Sequence, residues 1–352
     1  MLNPFIQNIT LSNHEYNKYT RHLILDNVGT HGQKRLKATA ILFIGAGGLA
    51  CPAIIYLACA GIGHIGVIDN DKVSLSNLHR QILYNYNDIN KLKVNIAEQK
   101  VHHINYLCKI STYPYLLKQN NADPIIRKYD IIIDASDNFK TRYIINHACQ
   151  KFHKIHIYGA IQNYEGQISV FNYKNGPNYS DIYPQKLNLK NNNCNNLGVL
   201  GTLPGIIGTL QATEAIKIIL GIGTITSGYL LTYNALTTTF KKIKIYSNRR
   251  YKSNHVKLLS NKNGIYQNKK LKIRNYDGRV IIIDVRNNQE FNKSHLKYSI
   301  NIPLKEIARQ KTIRFIYDHC SHKNIILYCD NRSRSTIASK ILNKHNIKHS
   351  QI

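Results

Sequence analysis

Gly45-Ala46-Gly47-Gly48 lies between an apolar run and an apolar helical stretch. Glycines at such a junction let the backbone approach a phosphate, and the next helix adds unpaired N–H groups and a favourable dipole. Asp69 stands 21 residues after Gly48, at the tip of the next apolar run, where an acid can bond a ribose hydroxyl. These residues predict a nucleotide and leave its identity open, because a nicotinamide oxidoreductase carries the same signal. A tight turn in an α/β fold would account for the glycines alone. The segment after Asp69 narrows the choice. Val73-Ser74-Leu75-Ser76-Asn77-Leu78-His79-Arg80-Gln81 brings polar side chains and an arginine directly after the ribose acid. Arginine offers a planar set of donors to phosphate oxygens, and Lys93 adds a second cation about one helix later. Asp137 and Asn138 close a third apolar run and supply hard oxygen ligands suited to a magnesium ion shared with phosphates. An enzyme that holds a triphosphate uses this set, whereas an oxidoreductase has little use for the Arg80-Gln81 pair.

The elements that must position these residues are legible. Thr39 to Asp71 reads as strand, helix and strand, a β-α-β unit, and DIIIDASDN at 130–138 ends a third strand in acids. Further strands are expected at 154–159 and 166–173, a buried helix at 205–220, and one or two helices within 1–37. After a polar stretch, a second alternation starts with RVIIIDVR at 279–286 and continues with NIILYCD at 324–330, and a helical stretch closes the chain. The expected fold is α/β: a Rossmann-like nucleotide-binding domain with a mostly parallel sheet over 1–247, a basic and polar linker over 248–275, and a small α/β domain over 276–352.

Composition sets the outer bounds. The chain has 352 residues, 43% of them hydrophobic, which is ordinary for a globular protein. No uninterrupted apolar run approaches the length of a membrane span, and the N-terminus Met-Leu-Asn-Pro-Phe does not read as a secretory signal. The net charge of +29 raises nucleic acid or an acidic protein as partners. Abundant Lys, Asn, Ile and Tyr with no Trp favour a simpler source, an AT-rich genome, so a nucleic-acid partner is not expected and the basic run 241–257 reads as a solvated linker. Cys51, Cys59, Cys108, Cys149, Cys194, Cys320 and Cys329 are odd in number and contain no CxxC pair, which argues for a reducing compartment and against a disulfide framework or a four-thiolate zinc site.

Taken in order, IGAGGL, DNDKVSLSNLHRQ, Lys93, ASDN at 135–138 and GAIQNYEGQISVF at 159–171 resemble the molybdopterin-synthase and thiamine sulfur-carrier adenylyltransferases, relatives of ubiquitin-activating enzymes. The resemblance covers roughly residues 12–247 and is strongest to the molybdopterin branch. It implies ATP bound by Gly45, Gly47, Gly48, Asp69, Ser76, Asn77, Leu78, His79, Arg80, Lys93, Asp137 and Asn138, with magnesium on Asp137. It also implies a homodimer, because Arg21 in YTRHLIL matches an arginine that reaches the partner subunit's active site. Cys194, ahead of GVLGTLPG, matches a cysteine that in some members links covalently to the activated carrier; the other reading is a loop cysteine without chemistry. Two departures stand out. Ala50 replaces a common glycine at the end of the loop. Asn178 and Asp181 stand where one zinc-binding CxxC pair would be, and the second pair, near 247–252, has no cysteine, so no zinc is expected.

The small domain resembles a rhodanese: IIIDVRNNQEF at 281–291, HLKYSINIP at 295–303 and ILYCDNRSRS at 326–335 occur in that order and spacing. The resemblance places Cys329 at the start of a loop of N–H groups leading into a helix, with Arg332 and Arg334 expected to favour its thiolate or persulfide. The other reading is a strand-end core cysteine. Arg332 replaces the usual loop glycine, and the sequence stops at Ile352, ahead of a customary final helix.

The expected activity is ATP-dependent adenylation of the C-terminal glycine carboxylate of a small ubiquitin-like sulfur carrier, followed by sulfur delivery from Cys329. The carrier is that of molybdenum cofactor synthesis, with thiamine and tRNA-thiolation carriers as close rivals and a cysteine desulfurase as the candidate sulfur source. A nicotinamide oxidoreductase and a non-catalytic carrier-binding scaffold are the rivals of other classes. Composition fits a plastid stroma or a bacterial-type cytoplasm.

Overall fold

The computed structural model describes residue 2 and residues 6–185, 198–246, 280–296, 299–320, 324–330 and 333–351. Cys194, Arg332, the 248–275 linker and the 247–252 segment lie outside the described residues. The described chain falls into two compact units, one formed mainly by residues up to 246 and one by residues from 280 onward.

The first unit starts with three short helices, α1 (Asn13–Lys18), α2 (Thr20–Leu23) and α3 (Gly29–Ala38). α1 begins on a capping box: Ser12 Oγ accepts from the Glu15 N–H, and the Glu15 carboxylate accepts from the Ser12 N–H. The segment breaks into more helices than expected because Tyr19 leaves helical backbone angles between α1 and α2. Then come β1 (Ala40–Ile44), α4 (Ala50–Ala60), β2 (His64–Ile68), α5 (Lys93–Ile104), β3 (Lys109–Tyr113), α6 (Gln119–Ile126), β4 (Ile131–Asp134) and α7 (Phe139–Lys151). The unit continues with β5 (Ile155–Gln162), β6 (Glu165–Phe171), α8 (Tyr179–Ile182), α9 (Leu203–Leu220), β7 (Tyr229–Asn234) and β8 (Thr239–Lys244).

The strands form one sheet in the order β3-β2-β1-β4-β5-β6-β7-β8. Strands β1 to β5 run parallel, and β6, β7 and β8 add antiparallel. Ile41, Leu42 and Phe43 in β1 and Ile131, Ile132 and Ile133 in β4 are fully buried, the signature of central parallel strands covered on both faces. Strand order reverses between β1 and β4, and in such sheets ligands bind beyond the carboxyl ends of the strands at that switch. The glycine loop follows β1, Asp69 follows β2 and Asp137 follows β4, so the topology alone gathers the predicted residues at one edge.

Packing explains the local departures. The Ala50 methyl is fully buried in the core, so the missing glycine is absorbed by helix packing. β6 ends at Phe171 because Asn172, Lys174 and Asn175 all take positive φ and turn the chain. α9 starts at Leu203 with Pro204 in its first turn, where a fixed φ and a missing N–H are harmless. Its 18 residues are long and apolar enough to cross a membrane, yet 61% of them are buried, which marks the core helix of an α/β layer.

The second unit contains β9 (Val280–Asp284), α10 (Asn288–Lys293), β10 (Ser299–Asn301), α11 (Leu304–Ile307), α12 (Gln310–Cys320), β11 (Asn324–Tyr328), α13 (Ser333–Lys344) and β12 (His349–Gln351). Its sheet is wholly parallel in the order β10-β9-β11-β12. The short strand β12 comes after the last helix and pairs with β11, an element the sequence pattern did not announce. Ile283, Ile307, Ile316, Leu327, Ala338 and Leu342 form a separate core.

Candidate active site

The glycine loop needs its glycines for two different reasons. Gly45 has φ +98°, and a Cβ there would lie 2.8 Å from the Ala135 carbonyl oxygen. Gly48 is pressed from the other side: a Cβ would meet Pro204 of α9 at 3.0 Å and the Arg80 carbonyl oxygen at 3.4 Å. The loop is thus the meeting point of the β4 turn, the 76–80 segment and α9. Asp69 fixes it from below, accepting from the Ala46 N–H at 2.7 Å and from the Asp71 N–H at 2.7 Å. Burial pushes the Asp69 carboxyl above its ordinary value, opposed by the Lys93 charge and the two backbone N–H groups. A carboxylate has about four acceptor sites, so two remain for ribose hydroxyls.

Residues 74–81 fold into a short 3-10 turn over Leu75–Asn77 that grips itself. Ser74 Oγ and Ser76 Oγ are 3.0 Å apart, and the Asn77 side chain accepts from the Ser74 N–H at 3.3 Å. Leu78 is half-buried behind the turn. His79 Nδ1 lies 3.0 Å from the Ser76 carbonyl, which also accepts from Arg80 Nη1 at 2.9 Å. Gly201 lets the His79 carbonyl approach, since a Cβ there would come within 2.6 Å of it. Lys93 Nζ donates to Asp71 at 3.1 Å from a nearly buried position. The two cations expected to meet phosphate therefore have acceptors inside the chain, and Asp71, absent from the expected set, is one of them. Gln81 is 4% exposed, with its amide nitrogen 3.9 Å from where a Gly47 Cβ would be, and Tyr84 Oη donates to the Ala46 carbonyl at 2.7 Å.

After β4, the fully buried Asp134 accepts from the Ser136 N–H at 3.0 Å and from Ser136 Oγ at 2.6 Å. Its other oxygen is 3.2 Å from His156 Nε2 on β5. Burial works to raise the Asp134 carboxyl, but His156, Arg142 and Ser136 together hold it below its ordinary value. The turn ends at Asn138, whose side chain caps α7 by accepting from the Thr141 N–H at 2.9 Å and donates to Asp137 Oδ1 at 3.2 Å. Asp137 itself is exposed at the rim. Among the described residues no three His, Cys, Asp or Glu side chains form a metal cage. Magnesium held by one or two carboxylates plus substrate phosphates requires none, so the residues present fit that ion.

Arg21 is exposed on α2, and among the described residues no contact brings it to the glycine loop. Beside the loop lies an open groove of about 700 Å³, lined by Pro52, Ile82, Leu200, Ile206 and Leu210 with Arg80 at its rim. In the second unit Cys329, 3% exposed, sits between β11 and α13, and its sulfur accepts from the Ser335 N–H at 3.3 Å. Arg334, expected to favour the anionic sulfur, interacts with Cys329 through its charge, and its guanidinium also forks onto Glu290 at 2.6 and 2.7 Å. That pair pulls the Glu290 carboxyl down to about 2. Arg286 likewise spans Asp284 at 2.7 Å and Asp330 at 3.1 Å. Asn178 and Asp181, where the resemblance would put a zinc-binding pair, bind each other: the Asp181 carboxylate accepts from the Asn178 N–H and from its Nδ2, both at 2.9 Å.

The ThiF family model matches residues 19–255, which spans the glycine loop, Asp69, Arg80, Lys93 and Asp137. The chain belongs to the ThiF family. A rhodanese-like domain model matches residues 267–351, so this ThiF-family chain carries that domain as its second unit. A probable molybdopterin-synthase adenylyltransferase of Gracilaria tenuistipitata var. liui is 52% identical over 348 residues, covering 98% of each chain. An adenylyltransferase and sulfurtransferase MOCS3 of Culex quinquefasciatus is 35% identical, covering 86% of this chain and 75% of its own. The enzyme class of the chain is adenylyltransferase. Among solved structures, E. coli MccB with ATP superposes with a TM-score of 0.57 at 20% identity, covering 66% of this chain and 73% of that one, a likeness of fold.

Proposed function

We propose that the first unit adenylates the C-terminal glycine carboxylate of a small sulfur-carrier protein with ATP, and that the second unit delivers the sulfur that turns it into a thiocarboxylate. The observation that carries the reading is the convergence of Gly45 to Gly48, Asp69, the Arg80 turn, Lys93 and the Asp137 turn at one sheet edge. A carboxylate is a poor electrophile, and attack of its oxygen on the α-phosphate gives a mixed anhydride and releases pyrophosphate. Little proton transfer is needed, so positioning and charge neutralisation dominate. Asp69 would orient the ribose, and Arg80 and Lys93 would exchange Ser76 and Asp71 for phosphate oxygens. Asp137 and Asn138 would hold the magnesium ion, which supplies further charge neutralisation. Arg21 would act on the partner subunit of a homodimer, a reading supported by the likeness of YTRHLIL to the family's arginine segment.

The sulfur step uses Cys329 as a persulfide, loaded by a cysteine desulfurase. Its terminal sulfur attacks the acyl-adenylate carbonyl and expels AMP. A dithiol reductant then attacks the Cys329 sulfur, releases the thiocarboxylate and frees the Cys329 thiol as it closes to its own disulfide; Cys194 is the candidate for a covalent link with the activated carrier. The relatives' names favour the molybdopterin-synthase carrier; a thiamine or tRNA-thiolation carrier would take the same chemistry. The AT-biased composition supports a plastid stroma or a bacterial-type cytoplasm. ATP–pyrophosphate exchange with each of the three carriers in turn tests the reading. Exchange with the molybdopterin carrier alone is expected. Exchange with none, from a folded and dimeric protein, refutes adenylation and leaves a carrier-binding scaffold.

A further inference from the structure

We propose that Asp134 and Arg142 are positioning residues of the adenylation site, which shape the 134–138 turn so that Asp137 and Asn138 meet the metal–nucleotide pair. The inference rests on the proposed sharing of magnesium between Asp137 and ATP.

Neither residue reaches the rim. Asp134 is fully buried and holds Ser136 through both its N–H and its hydroxyl. Arg142, 8% exposed on the first turns of α7, reaches back over six residues, and its Nη2 donates to the Ser136 carbonyl at 2.8 Å. One residue of the turn is thus held at its N–H, its side chain and its carbonyl at once. The guanidinium lies over the Tyr158 ring at 5.2 Å and near the Phe139 ring at 5.9 Å, which fixes its plane. From the opposite side, Gln211 of α9 donates to the Asp134 carbonyl at 2.9 Å and to the Ile157 carbonyl at 3.3 Å. Because the Ala135 carbonyl also packs against Gly45, the turn and the glycine loop can only move together.

As packing, this cluster is a poor solution. A buried carboxylate, guanidinium and imidazole must all be desolvated, and apolar groups of the same volume are often as stable or more so. His156 Nδ1 has no hydrogen-bond partner among the described residues, which adds to that cost. What the cluster supplies that an apolar core would not is direction: a turn held at three atoms and aimed at the rim.

The test measures ATP binding by calorimetry with and without magnesium, alongside AMP binding. The readout is the tightening of ATP binding that magnesium brings. Asp137→Asn calibrates it. Arg142→Lys is expected to cut that tightening about 10-fold, the low end of what losing an outer partner of a metal site costs, while AMP affinity stays within about twofold. Ser136→Ala removes one of the three holds without placing a new charge in the core, and should cut it severalfold; it decides the matter if Arg142→Lys does not fold. Ile145→Val, on the buried face of the same helix, should lower the melting temperature and leave the tightening unchanged. If Asp137→Asn abolishes the tightening while Arg142→Lys and Ser136→Ala preserve it, the positioning role is wrong and the magnesium reading stands. If Asp137→Asn has no effect, both are wrong. If Ile145→Val weakens it as much as Arg142→Lys, the cluster is merely structural.

Discussion

Asp69→Asn offers the sharpest test of how the nucleotide edge is built. The native carboxylate accepts from Ala46 and Asp71 at 2.7 Å each and keeps two further acceptor sites for a ribose. An asparagine has one carbonyl oxygen for these tasks, and its NH2 group would face a backbone N–H. Two losses result. The charge-assisted bond to a ribose hydroxyl is worth about 1.5–3 kcal/mol, and leaving a loop N–H without an acceptor costs about 1–3 kcal/mol. Only the first enters ATP binding in full, and its lower end of about 1.5 kcal/mol is about 12-fold in Kd. Calorimetric titration with ATP should show at least that weakening. Because Asp69 also anchors the loop in the empty protein, part of the second loss should appear as a lower melting temperature. Free inorganic pyrophosphate, which has no ribose, should lose far less affinity than ATP. An ATP Kd within threefold of the parent would refute the assignment of Asp69 to the ribose; equal losses for ATP and pyrophosphate would mean that the residue acts only through the loop.

Three further outcomes are expected. Cys329→Ser should leave ATP–pyrophosphate exchange intact and abolish thiocarboxylate formation, checked by mass spectrometry of the carrier; retained formation would remove the second unit from the reaction. The Glu290 carboxyl is held down to about 2 by Arg334, so the stability it adds is complete above the ordinary value of 4.5 and is lost as pH falls from there towards 2. With the carboxylate side chain 34% exposed, that contribution is no more than about 1 kcal/mol, and Glu290→Gln should flatten the acid limb of the rhodanese-like unit's melting curve. Asp181→Ala removes the partner of Asn178 and should cost about 1 kcal/mol, a drop of about 2–4 °C in melting temperature, whereas EDTA should leave the parent's melting temperature where it is.

What the sequence disclosed and what it hid reflect the range of the forces involved. Gly45, Asp69 and Asp137 were legible because each sits at the end of an apolar run, and a parallel sheet brings all such ends to one edge. The Asp134 to His156 and Ser136 to Arg142 contacts were not, because they depend on β4 lying beside β5 and on the first turns of α7 folding back over Ser136. Arg334 was placed beside Cys329 by proximity in sequence; that Glu290, 44 residues away, also holds its guanidinium was not visible. The pairing of Asn178 with Asp181 was within reach. Asn178 and Asp181 are three apart at a helix start, a spacing that satisfies a capping box without metal.

The order in which α9 and its neighbours are made has a consequence for synthesis. An 18-residue helix apolar enough on average to cross a membrane resembles what membrane-insertion machinery recognises, and in an unfolded protein it invites aggregation. The elements that α9 packs against most extensively, α3, α4, β5 and β6, all precede it in the chain. When the ribosome releases this helix its cradle has already been translated, so the segment can be covered as it emerges without waiting for the later rhodanese-like unit.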